Sequence, residues 1–108
     1  MTVKRLDEIV PAGGTPAGVV VRLLKRVEDV ELKILDVEPG ESSPFHTHPH
    51  GHEGVVVAGS GALRLADRSD LLSPGDVFSI EPNEPHAIEC HGRSRLRLRL
   101  ICLDCFVD

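Results

Sequence analysis

The sequence predicts an all-β fold, a small sandwich or barrel in a single domain. The chain has 108 residues, which is enough for one domain with its own core but not for two. Short aliphatic runs recur along it, and turns rich in glycine and proline separate them about every eight to twelve residues. No window of about a dozen residues has the period of an amphipathic helix, so we expect no helix longer than about three turns between residues 17 and 103.

The predicted strands follow these runs in chain order. The first, residues 18–26, is rich in β-branched side chains, and the second, residues 30–37, alternates aliphatic residues with Glu31 and Lys33. A Pro-Gly turn at 39–40 closes the second strand. Four more short strands are predicted, with turns between them: strands at 54–58, 62–66, 77–80 and 86–90, and turns at 59–61, 73–76 and 82–85.

The last predicted strand, residues 93–103, has the clearest alternation. Leu96, Leu98 and Leu100 lie on one face, and the other face carries four arginines, Arg93, Arg95, Arg97 and Arg99. Such a stripe is either an anion-binding surface or the solvated face of an antiparallel sheet, paired with acids such as Glu31 or Asp36 on a neighbouring strand. The formal net charge of −5 favours the solvated face.

Composition disfavours several classes of partner. The 12 basic and 17 acidic residues argue against nucleic acid, because phosphate binding needs an excess of positive charge. No apolar stretch approaches the roughly 18 residues of a membrane-spanning helix, and residues 1–10 lack the apolar region of a signal peptide. Three cysteines without a signal peptide are typical of a reducing cytoplasm, so we expect no disulfide framework. Cys102 and Cys105 are interpreted as a buried structural thiol and a C-terminal one.

Four of the six histidines alternate with other residues in one short segment, at His46, His48, His50 and His52. Histidines two positions apart on a strand point to the same face, and two neutral imidazole nitrogens in one cavity are a ready pair of ligands for a divalent metal. A lone histidine is more often a core or surface residue, but four so close together are hard to explain that way. The cluster therefore predicts a metal site.

Two motifs of the chain resemble those of the cupin superfamily. In the first, five residues separate Gly40 from His46-Thr47-His48, and the motif ends at Gly59. In the second, the turn Pro74-Gly75-Asp76 precedes Pro82 and His86, and Cys90 stands where the family has an asparagine. The resemblance extends over about residues 19–101 and is to the small single-domain bacterial cupins of the cupin 2 conserved barrel type. It implies a double-stranded β-helix, the jelly-roll barrel of that family.

The resemblance leaves two candidates for the third metal ligand, His52 and Glu53. The gaps on both sides of His52 match the motif, and small cupins with four histidines share the pattern His-x-His-Pro-x-x-His-Glu. The resemblance therefore implies a set of four ligands, His46, His48, His52 and His86, with Glu53 in place of His52 as the alternative. Adjacent strand residues point to opposite faces, so both can bind the metal only if the strand bulges. Glu53 is then expected to hold a ring N–H of a ligand or to pair with an arginine.

Four imidazoles leave a divalent metal its full charge and two open positions in an octahedral site. We expect manganese or iron, with nickel, copper or zinc as alternatives, in an oxygenase-type or isomerase-type enzyme that acts on a small carboxylated or hydroxylated metabolite. The alternative is a metal-dependent binding or sensing module without turnover. A structural zinc is disfavoured because no cysteine lies in the first motif, which holds the histidine cluster. The candidates for a catalytic base are Glu53 and His50, the latter interpreted as a loop residue near the mouth of the pocket.

Residues 1–16 are predicted to form an arm ahead of the barrel, which comprises residues 17–108. The arm has too few apolar residues for a core of its own, yet it carries Val3, Leu6, Ile9 and Val10. Cupins often pack such an arm against a partner subunit, where it covers a sheet edge. We therefore expect a homodimer.

Overall fold

A computed structural model of the chain describes residues 3–103. Within them there are eight strands, and the one helical element is a 3₁₀ turn at Leu6–Glu8. The strands are β1 (Val19–Val27), β2 (Val30–Val37), β3 (His52–Ala58), β4 (Gly61–Leu65), β5 (Ser69–Leu72), β6 (Val77–Ile80), β7 (His86–Cys90) and β8 (Leu96–Cys102). The predicted all-β class is confirmed. None of the described residues belongs to a helix long and apolar enough to cross a membrane.

The strands form two antiparallel sheets that pack face to face as a jelly-roll sandwich. One sheet has the order β1-β2-β8-β3-β6, and the other has the order β5-β4-β7. Their inward faces share one apolar core, to which β8 contributes Leu96, Leu98 and Leu100, while β4 and β7 contribute Leu63 and Ile88. An antiparallel strand with one buried face alternates apolar and polar residues, which is why β8 is so clear in the sequence.

The observed strands differ from the predicted ones by more than one residue at two starts, and one strand was not predicted. β8 begins at Leu96 rather than at residue 93, because Leu96 pairs with Val37, the last residue of β2. β3 begins at His52, ahead of the predicted start at residue 54, because both β6 and β8 pair with it from His52 onward. The additional strand is β5, an edge strand in which only Leu72 is buried, so its sequence has no alternation that could reveal it.

The charged residues at the start of β2 point into the sandwich. Glu31 and Lys33 pair across the sheet with Cys102 and Leu100, which face the core, and directly paired residues of antiparallel strands lie on the same face. The Glu31 side chain is buried, and its carboxylate contacts Arg26 and Lys33 instead of an arginine of β8. The expectation that Glu31 pairs with the arginine stripe is therefore wrong.

Asp36, on the outer face of β2, does pair with the arginine stripe, as predicted. It is 1% exposed, and it accepts hydrogen bonds from Arg97 on both carboxylate oxygens, at 2.7 Å from Nε and 2.9 Å from Nη2. Arg22 and Arg95 each place Nη1 3.7 Å from Oδ2 of the same carboxylate. Fork-to-fork geometry of this kind compensates the cost of removing the carboxylate from water.

The segment before β1 lies along that strand. The backbone N–H of Ala12 donates to the carbonyl oxygen of Val21 at 2.8 Å, and Arg22 Nε donates to the carbonyl oxygen of Ile9 at 3.1 Å. The side chains of Val3 and Val10 are 92% and 85% exposed. The described part of this segment thus contacts its own barrel through polar groups and leaves two apolar side chains uncovered.

Two cysteines lie in the core. Cys90 is a buried free thiol that donates to the carbonyl oxygen of Ser94 at 3.3 Å. Cys102 faces the core with the leucines of β8, as predicted, but it is disulfide-bonded, so the expectation of a thiol there is wrong. Cys105 lies outside the described residues.

We expect Arg97→Ala to lower the free energy of unfolding by about 3 kcal/mol, because it leaves the buried Asp36 carboxylate without its two hydrogen bonds. The matched control is Arg99→Ala, since Arg99 is an exposed arginine on the same face of β8. The control is expected to change stability by less than about 0.5 kcal/mol. Urea unfolding at pH 7, followed by circular dichroism, measures both variants. Equal losses in the two variants would contradict the role assigned to the Asp36 pair.

Candidate metal centre

A cavity of about 490 Å³ lies between the two sheets, and five of the six histidines line it. They are His46, His48, His50, His52 and His86. Most of the remaining wall is apolar and comes from both sheets: Val19, Val21, Leu35, Ile80, Ile88 and Leu100. A concave, mostly apolar site with a few convergent polar groups is the usual form of a small-molecule or metal site.

The histidines reach the cavity from three places in the chain. His46, His48 and His50 lie in the irregular segment between β2 and β3, whereas His52 begins β3 and His86 begins β7. The backbones of His46 and His86 are joined by two hydrogen bonds of 3.0 Å. The rings of His46 and His48 lie 5.3 Å apart, as expected for a shared face, but an irregular segment rather than a strand brings them together.

The ring nitrogens fall into two overlapping sets. His46, His48 and His86 can each direct one nitrogen to a common point, because these nitrogens lie within 4.8 Å of one another. His48, His50 and His52 form a second set that meets the same limit. His52 is therefore close to the first set without belonging to it, and its ring centroid lies 4.3 Å from that of His48.

Backbone carbonyl groups orient three of the rings in the same way. Nδ1 of His46, His48 and His86 lies 2.5, 3.1 and 2.8 Å, respectively, from the carbonyl oxygens of Pro44, His50 and Glu84. A carbonyl oxygen can only accept, so Nδ1 carries the proton of each neutral ring. Nε2 is then left with a free lone pair, which is the tautomer that a metal-binding histidine needs.

Burial lowers the pKa of three imidazoles of the cavity, those of His48, His52 and His86. It is the main reason why the pKa of His48 falls to about 4 and that of His52 to about 3, and the neighbouring histidines lower both further. Burial also lowers the pKa of His86. The three rings are therefore uncharged at pH 7, and their lone pairs are available to a cation.

His50 contributes an unpaired polar atom to the cavity. Its ring stacks on that of His48, with centroids 4.9 Å apart and planes inclined by 19°. Its Nδ1 is buried without a hydrogen-bond partner among the described residues. Because an unsatisfied buried nitrogen is costly, a bound metal ion or polar ligand in the cavity would be stabilised by pairing with it. The chemistry of these donors fits a divalent transition metal.

Glu53 lies on the other side of β3 from the cavity. It pairs across the sheet with Ile101 and Ser79, which belong to the outer face, and its carboxylate accepts a hydrogen bond from the Ser79 hydroxyl. The predicted opposition of His52 and Glu53 on adjacent strand positions is therefore present. The described contacts of Glu53 include neither a histidine ring nor an arginine, the two partners expected for it.

Lys33 is a residue of the cavity that was not predicted from the sequence. Lys33 lines the wall, and its Nζ lies 3.1 Å from Oε1 of the buried Glu31. Burial, and next the charge of Arg26, lowers the pKa of Lys33. The alternation within β2 does not indicate that its charged residues face inward. Their orientation follows from the pairing of β2 with β8, in which Lys33 lies opposite the buried Leu100.

Several solved structures share this fold. The polyketide cyclase RemF from Streptomyces resistomycificus superposes with a TM-score of 0.82 over 97% of this chain and 80% of its own, at 24% identity. A protein from Thermotoga maritima described as a predicted oxalate decarboxylase has a TM-score of 0.80 over 94% of this chain and 98% of its own, at 22% identity. At these identities, the likeness shows the fold alone.

A curated relative matches part of the chain. A stretch of 50 residues is 42% identical to an (R)-mandelonitrile lyase from Granulicella tundricola. The match covers 45% of this chain and 38% of the lyase, so the chain spans well under half the length of that relative.

The family model of the cupin domain, Cupin_2, matches residues 33–104. The matched range is more than half of the chain, and it contains all five histidines of the cavity as well as both motifs. The chain therefore belongs to the cupin family.

Proposed function

We propose that the chain is a metal-dependent enzyme of the oxygenase or isomerase type that acts on a small carboxylated or hydroxylated compound. In this proposal a divalent transition metal, manganese or iron, is held by four histidines: His46, His48, His52 and His86. Nickel, copper and zinc are the alternatives. The observation that carries the proposal is the convergence of neutral imidazole nitrogens, oriented by backbone carbonyl groups, on one apolar cavity.

Three of the four proposed ligands already form one set. The position of His52 beside that set, with its ring centroid 4.3 Å from that of His48, supports it as the fourth ligand. His50 is the competing fourth ligand, because it lies in the set of nitrogens that His48 and His52 share. The family motif favours His52, since the spacing to both sides of it matches.

A divalent metal held by four neutral imidazoles keeps its whole charge and, when bound, acts as a Lewis acid toward carboxylate or hydroxyl oxygens of a substrate. The mostly apolar wall lowers the local dielectric constant and so strengthens charge interactions within the cavity. His50 is the better placed of the two candidate bases, because it lines the cavity with an unpaired Nδ1 whereas Glu53 faces outward.

Lys33 supports a carboxylate on the substrate. It brings a cationic side chain to a cavity whose other lining groups are imidazoles, aliphatic side chains and small polar residues. Its ion-pair partner Glu31, whose Oε1 lies 3.1 Å from Nζ, holds the ammonium group at the wall. The name of the curated relative adds a hydroxylated candidate, since that protein is a lyase of (R)-mandelonitrile.

We expect the metal-free protein to bind one manganese or zinc ion per chain at pH 7, measured by isothermal titration calorimetry. His52→Ala is expected to weaken the affinity more than about 100-fold, since loss of a ligand costs more than loss of a group behind it. His50→Ala tests the competing ligand and Glu53→Ala is the control on the outer face, and each is expected to retain binding within about tenfold. A larger loss for His50→Ala than for His52→Ala would transfer the fourth ligand position to His50.

We expect turnover of at least one compound in a screen of the metal-loaded protein against keto acids, catechols, sugar acids and (R)-mandelonitrile, with substrate loss followed by chromatography. His86→Ala should abolish it. For a carboxylated substrate, Lys33→Met should raise KM by about tenfold or more, which is the size of effect expected from losing a hydrogen bond to a charged group. Lys25→Met is the control, because Lys25 is exposed, and it should leave KM unchanged. Turnover that survives in His86→Ala contradicts the enzyme proposal. Saturable ligand binding without turnover under every metal assigns the chain to the binding modules.

We also propose that two chains form a homodimer through the segment before β1. The exposed Val3 and Val10 support it, because a second copy would cover apolar side chains that their own barrel leaves in water. Light scattering is expected to give twice the chain mass of 11.7 kDa. The double variant Val3→Asp, Val10→Asp should give the mass of one chain. A single mass for the unchanged protein overturns the proposal.

A further inference from the structure

A second cavity lies on the outer side of the five-stranded sheet, and arginines form most of its wall. Its volume is about 330 Å³, and it shares no lining residue with the histidine cavity. The segment before β1 supplies one side, and β1, β8 and the residue before β8 supply the other: Arg5, Leu6, Asp7, Arg22, Arg95 and Arg97. The cavity therefore forms only where that segment lies against the sheet.

The arginines of this cavity have more hydrogen-bond donors than the described residues use. Arg97 is occupied, because both of its bonds go to Asp36. Arg22 and Arg95 place Nη1 3.7 Å from the same carboxylate, which is within ion-pair range but beyond hydrogen-bond length. Among the described residues, Arg22 has one hydrogen bond, through Nε, and neither Arg5 nor Arg95 donates one.

The local charge does not balance either. Four guanidinium groups line the cavity, and two carboxylates lie beside them, Asp7 in the wall and Asp36 buried behind it. This leaves an excess of positive charge on a chain whose net charge is −5. Guanidinium groups pair their N–H donors in a planar fork that matches the oxygens of phosphate and carboxylate groups.

We propose that this cavity binds a small doubly charged oxyanion of the phosphate type, either free phosphate or the phosphate group of a small phosphomonoester. A tetrahedral dianion balances the excess charge and offers oxygens to arginines that approach from different sides. Arg5, Arg22 and Arg95 are its proposed partners, and Arg97 remains with Asp36. The site is separate from the proposed metal-dependent activity and does not depend on it.

The bound anion would connect the segment before β1 to the sheet, because Arg5 lies on that segment while Arg22 lies on β1 and Arg95 just ahead of β8. A ligand that binds only the folded chain raises its stability in proportion to the logarithm of ligand concentration. Phosphate is therefore expected to raise the melting temperature, and the rise should continue with the logarithm of phosphate concentration above the dissociation constant.

The test is titration of the metal-free protein with inorganic phosphate, followed by calorimetry and by the shift in melting temperature, with EDTA present and ionic strength held constant. Saturable binding to one site is expected. Arg95→Gln and Arg5→Gln should each weaken it about tenfold or more, the worth of a charged hydrogen bond. Arg68→Gln is the control, because Arg68 is exposed, pairs with Asp70 and lies outside the cavity. Arg5 lies outside the strands, so the phosphate affinity of Arg5→Gln can be measured even if Arg95→Gln fails to fold.

Three outcomes overturn the proposal: no saturable binding, equal losses in the control and the cavity variants, or equal binding of succinate, a dianion without a phosphate group. Glycerol 3-phosphate distinguishes the two sources. Tighter binding than inorganic phosphate identifies a phosphomonoester as the ligand, and equal or weaker binding identifies free phosphate.

Discussion

The register of β8 is the constraint on which the rest of the structure depends. β8 lies between β2 and β3, and its leucines and Cys102 are buried, so the residues paired with them on both neighbours turn to the same side. Lys33 on β2 and His52 on β3 therefore face the interior, while Asp36 and Glu53 face outward. A slip of one residue would reverse all four, since side chains alternate along a strand.

Alternation and turn residues were enough to predict the fold class, and they failed where pairing between strands decided the outcome. β2 and β8 were predicted because their apolar residues recur with a period of two, and the opposition of His52 and Glu53 follows from the same geometry. β5 has no such pattern, because only one of its residues is buried at the edge of the sheet. It is a strand because it pairs with β4. The burial of Glu31 beside Lys33 was also missed, because no rule for one strand predicts which of its faces a neighbouring strand will bury.

The candidate site was predictable as a cluster but not as an arrangement. The motif spacing grouped His86 with the other histidines, and His50 was interpreted as a loop residue near the mouth of the pocket. His50 lies in the irregular segment before β3 and lines the cavity, with its ring stacked on that of His48. The segment from 41 to 51 is irregular, and its hydrogen bonds to β7 and to carbonyl groups decide where the rings go. Local backbone geometry explains why the last position of the first motif, Gly59, is a glycine. Its φ is +83°, and a Cβ there would lie 2.3 Å from the carbonyl oxygen of Arg95.

The buried polar groups on the two faces of the large sheet differ in whether they are paired. On the outer face, the buried Asp36 is satisfied by Arg97, so that pair can be part of the fold without any ligand. On the inner face, burial deprives His48 and His52 of charge, and His50 keeps an unpaired nitrogen. Such an arrangement costs stability unless something binds it, and folded proteins tolerate local conflicts of this kind mainly at functional sites. The histidine cavity therefore has the features of a binding site, because a ligand there would engage the uncharged rings of His48 and His52 and the unpaired nitrogen of His50.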